Sequence, residues 1–377
     1  MNLHPHVSIT YVRNWIAFLI LVFINALFAY KYVGRVIPHA ELPTLALAAI
    51  QIGAYTFRNQ INWPRAQFVL FAIPVILWVL AIVYSHYFIP LTSLNVDRWS
   101  VIDSFLKSWE SGHYPYYAES HVGNPPGPMP FYFLIAYPFV QMGELSWLSF
   151  IGYAIMVYWA VDKTKATGGV LWVYLLTCLF ALWELAVRSN MFINATLVLL
   201  LMHFIERHGF AMKWSGFVLA LFTGFLLSTR SVFALAYLVF FVSYLYRGKA
   251  KISEMCIFGI VAVVAFCLTF FPLIIRFPKD FFMMNPFIVQ SSFLIPLGYT
   301  VSFFLIAIVL GFVAKTKSDR IFYAGVSLFV PIAIYFVYHV VGAGFVNAYL
   351  NSIADISYFI LCTPFFLYYL GIEKSNL

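Results

Sequence analysis

Residues 95–130 read NVDRWSVIDSFLKSWESGHYPYYAESHVGNPPGPMP. This one segment gathers Asp97, Asp103, Glu110 and Glu119 with His113 and His121, in a chain of 377 residues that is only 10% charged. On either side the sequence is apolar. Hydrophobic residues make up 63% of the chain and the mean hydropathy is +0.90, against roughly 45–50% apolar in soluble domains. The polar loop therefore interrupts a body written for lipid, and the contrast sets the fold class: an all-α integral membrane protein.

Runs of about 20 apolar residues, enough to cross a bilayer as helix, recur from end to end. About twelve are read, near 14–33, 41–57, 66–90, 144–161, 168–186, 189–206, 214–230, 231–246, 253–275, 292–314, 320–341 and 352–371. The chain is treated as a single polytopic domain, 1–377, with 1–65 as an N-terminal helical hairpin and 95–143 as the large first outer loop. Basic residues orient it. With the N-terminus inside, Arg13, Arg58, Arg65, Lys163, Lys165, Arg207, Lys213, Arg247, Lys249, Lys251, Lys315, Lys317, Arg320 and Lys374 fall on the cytoplasmic side. Both termini are then cytoplasmic, and the 95–130 loop faces periplasm, exterior or lumen; an inner or plasma membrane is expected. The net charge of +8 reads as a topology signal, and nucleic acid is not expected as a partner. No cleavable signal peptide is expected. Cys178, Cys256, Cys267 and Cys362 all fall inside the spans and read as buried free thiols.

The outer loop has its own pattern. Trp99, Ile102, Leu106 and Trp109 recur at helical spacing, and Asp103, Lys107 and Glu110 occupy another face. This predicts an amphipathic helix on the membrane surface, ended by Gly112. Pro115 keeps the Tyr114, Tyr116, Tyr117 group from prolonging it, and Asn124-Pro125-Pro126-Gly127-Pro128 is a rigid link. Phe131 to Val140 is too short to span and predicts a second interfacial helix.

Several short motifs share an order along the chain. An aspartate opens the first large outer loop (Asn95-Val96-Asp97-Arg98), a helix runs to Gly112-His113-Tyr114-Pro115-Tyr116, and a Pro-Pro stretch precedes an apolar run. Arg188-Ser189-Asn190 with Asn194 starts a span, Ser228-Thr229-Arg230 ends one, and Asn285-Pro286-Phe287 with Gln290 lies in a later loop. Over roughly residues 66–371 this arrangement resembles the GT-C superfamily of polytopic glycosyltransferases, although the catalytic loop here follows three spans where that family commonly has one. The resemblance implies a polyprenyl-phosphate-linked sugar as donor, a glycan or glycolipid as acceptor, the bilayer as the donor's medium, and chemistry on the non-cytoplasmic face. It also implies that Asn190 and Gln290 contact substrate.

Asp97 has two readings. It caps the helix that starts near Trp99, or it is the general base that takes the acceptor's proton as the anomeric carbon is attacked; the resemblance favours the base, and one carboxylate without a covalent intermediate implies inversion. Asp103, four residues from Lys107, reads as half of a surface ion pair. A lipid-phosphate leaving group requires fixed positive charge, and Arg188 and Arg230 sit at the outer ends of spans. Each either binds phosphate or snorkels to headgroups. Arg98 holds Asp97 or the phosphate, while Arg276 and Lys279 are weaker candidates. Tyr114 and Tyr116 either stack on a sugar or anchor the interface, and His121 of the same loop is expected with them as a substrate contact. No cofactor is expected. Glu119, His113 and His121 with Asp97 offer ligand types for a divalent metal, but without HExxH-type spacing, and no phosphate-binding glycine loop is present. The competing readings are a transporter or flippase of a lipid-linked sugar and a glycan polymerase or ligase.

Overall fold

In an apolar body every backbone N–H and C=O must find its partner within the segment, so long apolar runs close into helices. The computed structural model describes residues 9–60, 67–94, 96–161, 165–248, 250–293 and 295–372. Asn95, Arg65, Lys163, Lys249, Glu373 and Lys374 lie outside them. Among the described residues all regular structure is helical: α1 (Ile9–Phe28), α2 (Glu41–Thr56), α3 (Gln67–Phe88), α4 (Arg98–Glu110), α5 (Pro130–Gln141), α6 (Ser146–Val161), α7 (Lys165–Thr177), α8 (Leu179–Ala186), α9 (Met191–His208), α10 (Trp214–Leu227), α11 (Phe233–Tyr246), α12 (Ile252–Arg276), α13 (Pro278–Met283), α14 (Pro286–Phe293), α15 (Leu297–Val313), α16 (Lys317–Ala343) and α17 (Thr363–Ile372). A short π-helical stretch, Ala29–Val33, prolongs α1, and a 3-10 segment, Ile356–Cys362, leads into α17.

Among the described residues four helices are long and apolar enough to cross a membrane, and up to six if each of two bent pairs counts as one span. Four shorter apolar helices accompany them. α3 and α12 are mostly unburied along their apolar length, and Ile260, Val263 and Leu268 on α12 face outward. Outward apolar faces of this extent suit a hydrocarbon surround. Cys256 and Cys267 share that outward side of α12, so only Cys178 and Cys362 are buried thiols as expected.

Two of the expected elements differ in shape. The run at 168–186 is not one helix: it breaks at Cys178, and its halves are bent by 48°. Asn25 of α1 fills the break. Its amide donates to Thr177 O at 3.0 Å and its carbonyl accepts from Leu179 N at 2.7 Å, replacing the lost helical bonds. Gln51 of α2 adds a bond to the Thr177 hydroxyl at 2.9 Å. The hairpin of α1 and α2 is thus stitched to the bundle, and α1 also packs against α17. The second difference is the surface helix, α4. It ends at Gly112 as its sequence predicts, with φ +80 and a bond from His113 N to Ser108 O. Its apolar side, however, buries Val101, Ile102, Phe105 and Leu106. Phe105 stacks on Phe133 of α5 at 3.6 Å between ring centroids. The apolar stripe is spent on protein, with Trp99 and Trp109 only half-buried.

Small residues let helices approach closely. A Cβ on Gly224 of α10 would lie 2.1 Å from Ala262 O of α12, so only glycine permits that crossing. At one end of the bundle, Arg13 pairs with Asp319 at 2.5 Å, and Arg320 grips Glu206 through two bonds of 2.5 and 2.9 Å. Tyr244 donates to the same carboxylate at 2.7 Å. The Arg320 side chain is 2% exposed and that of Glu206 8%. Removing one partner of such a pair strands a buried charge. We therefore expect Glu206→Ala to lose about 3–5 kcal/mol of stability, read as a lower thermal midpoint in detergent, and Glu206→Met with Arg320→Met to recover much of it.

Candidate functional site

The loop that opened the sequence reading folds at the opposite end, between the helix ends of α3, α9, α10 and the segment before α17. Asp97 sits at the start of α4 but makes no capping hydrogen bond. Its carboxylate instead accepts from the Asn124 amide at 2.7 Å, so the capping reading fails and the group faces the Pro-Pro link. His121 is held on both ring nitrogens, by the Ser100 hydroxyl at 2.7 Å and Leu94 O at 2.9 Å, and it stacks on Trp99. The carbonyl can only accept, so Nε2 carries a proton. With both nitrogens engaged, His121 positions the loop. Asp103 and Lys107 form the expected ion pair at 2.7 Å.

Arg98 turns away from Asp97. It donates to Asp355 Oδ2 and to Ser357 Oγ (2.7 Å), and its guanidinium lies over the Tyr358 ring. The same ring receives Arg230, whose guanidinium is 5.6 Å from it and 5.1 Å from the Tyr132 ring. Arg230 is 9% exposed, and its Nε and Nη2 have no hydrogen-bond partner. It forms one wall of a cavity of about 280 Å³, whose other walls include Leu235, Phe303, Ile332, Tyr335 and Tyr358. A buried, unpaired cation is costly in an apolar setting. Here it faces a pocket that is mostly apolar.

Gln290 closes the rim of this cavity, donating to Gly127 O at 3.0 Å and accepting from the Ser231 hydroxyl. The Pro-Pro link that carries Asn124 thus reaches the Arg230 cavity through Gly127. Backbone bonds from Met129 N to Thr229 O and from Phe131 N to Ser228 O fasten it there.

Arg188 is elsewhere. Its Nε pairs with Glu144 at 3.4 Å, Nη1 donates to Ala186 O and Nη2 to Ser85 O. It adopts φ +54, a left-handed backbone unusual for a side-chain-bearing residue, and lines a second, polar cavity with Glu144, His86 and Trp99. The two arginines therefore do not converge on one ligand. Tyr114 and Tyr116 are buried, their hydroxyls donating to Met284 O (2.5 Å) and Pro128 O (2.9 Å); both brace the loop. Arg276 stacks over Trp109 at 5.2 Å. Asp97, His113, Glu119 and His121 are not gathered: among the described residues no group of three or more His, Cys, Asp or Glu could hold a metal ion.

Asn190 and Asn194, one turn apart on α9, are fully buried with both amide atoms of each unpartnered. With Arg230 they are the side chains in the described structure that leave two such atoms orphaned, and all three sit at the loop's end of the bundle. Three residues escaped the sequence reading. Glu184, fully buried, accepts from the Ser189 hydroxyl at 2.6 Å and from the N–H groups of Met191 and Phe192 at 3.1 Å, and so caps α9 from the preceding helix. A carboxylate inside an apolar run was its visible signal. Asp355, a carboxylate within the 352–371 run, carried the same signal, whereas Tyr358 carried none, since its role arises from contact with Arg98 and Arg230.

Comparison with protein-family models, curated proteins and solved structures finds no match to this chain.

Two outcomes test this geometry. Burial acts to raise Glu144, but the Ser146 hydroxyl and N–H, His86 and Arg188 together hold its carboxyl below the ordinary 4.5. A depressed folded value means stability that is complete above the unfolded pKa and lost as pH falls through the folded one. Glu144→Gln should therefore be less stable than wild type at pH 7, with the gap narrowing in melts taken at pH values below the ordinary 4.5. Arg230→Met should instead raise the melting point, gaining about 1–3 kcal/mol by removing a buried, half-satisfied cation.

Proposed function

We propose that the chain is an inverting glycosyltransferase that moves a sugar from a polyprenyl-phosphate donor to an extracytoplasmic glycan or lipid acceptor, as its GT-C-like motifs imply. The observation that carries the reading is Arg230: a cation with two unpartnered donor nitrogens, set in the wall of a mostly apolar cavity. A lipid phosphate has the matching chemistry, an anionic head for the guanidinium and a hydrocarbon tail for Phe303, Leu235 and Ile332. In this reading the chain crosses the membrane twelve times, both termini are cytoplasmic, and the 95–143 loop faces outward.

Asp97 is the base. Its carboxylate, oriented by Asn124, takes the proton of the acceptor hydroxyl as that oxygen bonds to the anomeric carbon; the bond from that carbon to the phosphate oxygen breaks, and Arg230 stabilises the charge left on the lipid phosphate. Arg98, occupied by Asp355, positions the Asp97 backbone. Asn190 and Asn194 supply free amides for sugar hydroxyls. No metal enters this scheme. A transporter would exploit a broken helix with open backbone groups at mid-membrane, whereas the break at Cys178 is already filled by Asn25.

The test is transfer by purified protein from radiolabelled polyprenyl-phosphate sugars to candidate acceptors. Asp97→Asn should fall about 10²–10⁴-fold, with donor binding retained. Undiminished transfer by the variant would remove Asp97 as base, and substrate-dependent translocation without transfer would favour the flippase reading.

A further inference from the structure

The second cavity mixes charged and apolar groups, where the first is mostly apolar. It encloses about 460 Å³ between the end of α3, the exposed side of α4, the 107° corner joining α5 to α6, and the turn before α9. Its polar lining is His86, Trp99, Asp103, Lys107, Glu144 and Arg188. Lys107 and His86, with side chains 71% and 49% exposed, stand at the mouth. Glu144 and Arg188, at 11% and 4%, are the most buried of the charged groups.

Every charge in this lining is already matched. Asp103 pairs with Lys107, and Glu144 pairs with both Arg188 and His86, at 2.7 Å to the imidazole. Arg188 also directs Nη1 to the Ala186 carbonyl and Nη2 to the Ser85 carbonyl. An anion entering here would meet two carboxylates and would have to break existing pairs to reach a cation. A cation would meet the arginine and the lysine. A neutral polyhydroxylated ligand suffers neither penalty. The Asp103–Lys107 bond engages only Oδ2 of the carboxylate, and the lysine ammonium has three donors. Trp99, half-buried and backed on one face by His121, presents an aromatic surface of the kind that covers the C–H face of a sugar ring. Leu91 and Val140 complete an apolar wall.

We infer that this cavity binds a neutral saccharide. Trp99 lies two residues from Asp97, so a sugar held here is placed beside the start of α4. Its use as the acceptor rests on the glycosyltransferase reading; its binding does not.

The experiment is saturation-transfer NMR on the full-length protein in detergent, with methyl α-mannoside, methyl α-glucoside and maltotriose as probes and inorganic phosphate as competitor. At least one sugar should bind. Trp99→Ala should weaken it by about fivefold to tenfold, the effect of losing one aromatic face, and Trp99→Phe should restore most of it. Val140→Trp, which fills the cavity without touching the polar lining, should also abolish the signal, with the melting point of each variant confirming the fold. Phosphate should leave the signal unchanged. Absence of binding by all three sugars, binding indifferent to both Trp99→Ala and Val140→Trp, or displacement by phosphate would overturn the inference. Each of these can occur while Asp97-dependent transfer persists, and sugar binding can persist in a protein that transfers nothing, so the two readings fail separately.

Discussion

The bond between Arg98 and Asp355 joins residues 257 apart in the chain, and the candidate site depends on it. It fastens the first turn of the loop helix α4 to the segment that leads into the last helix, with Ser357 and the Tyr358 ring completing the grip. Because α4 is held at that point, Asp97 is left at the loop entrance with its carboxylate directed to Asn124. Because Tyr358 is held there too, its ring also receives Arg230 and forms part of the apolar cavity. The Arg98 side chain is 11% exposed and that of Asp355 35%, and a partly buried charge pair of this kind sets which segments meet more than it adds stability.

The rest of the bundle handles polar groups by the same economy. Asn25 mends the break between α7 and α8, Glu184 caps α9, and Glu206 is shared by Arg320 and Tyr244. In such surroundings a polar atom without a partner is conspicuous. Arg230, Asn190 and Asn194 each leave two, and they stand at the end of the bundle where the loop folds over it. The two cavities at that end divide by chemistry: one apolar with a free cation, the other polar with its charges paired.

Much of the architecture was legible in the residues. The apolar runs marked where helices lie, Gly112 stopped α4, the shortness of 131–140 foretold a short helix ahead of the next span, and the Asp103–Lys107 spacing foretold its ion pair. Partners were not legible. Arg98, Arg188 and Arg230 are equivalent candidates in sequence, yet one is bound to Asp355, one to Glu144, and Arg230 leaves two donor nitrogens unpartnered. Tyr114 and Tyr116 had the composition of a sugar platform and became buried braces.

The sequence by itself determined that this chain is helical and apolar, with one polar loop whose helix ends at a glycine, because those properties follow from local composition and spacing along a single segment. Only the tertiary structure decided which arginine is free, which carboxylate caps a neighbouring helix, and that α4 spends its apolar face on α5. Those outcomes depend on which side chains from distant segments reach the same point, and a pattern within one segment carries no information about what another brings to meet it.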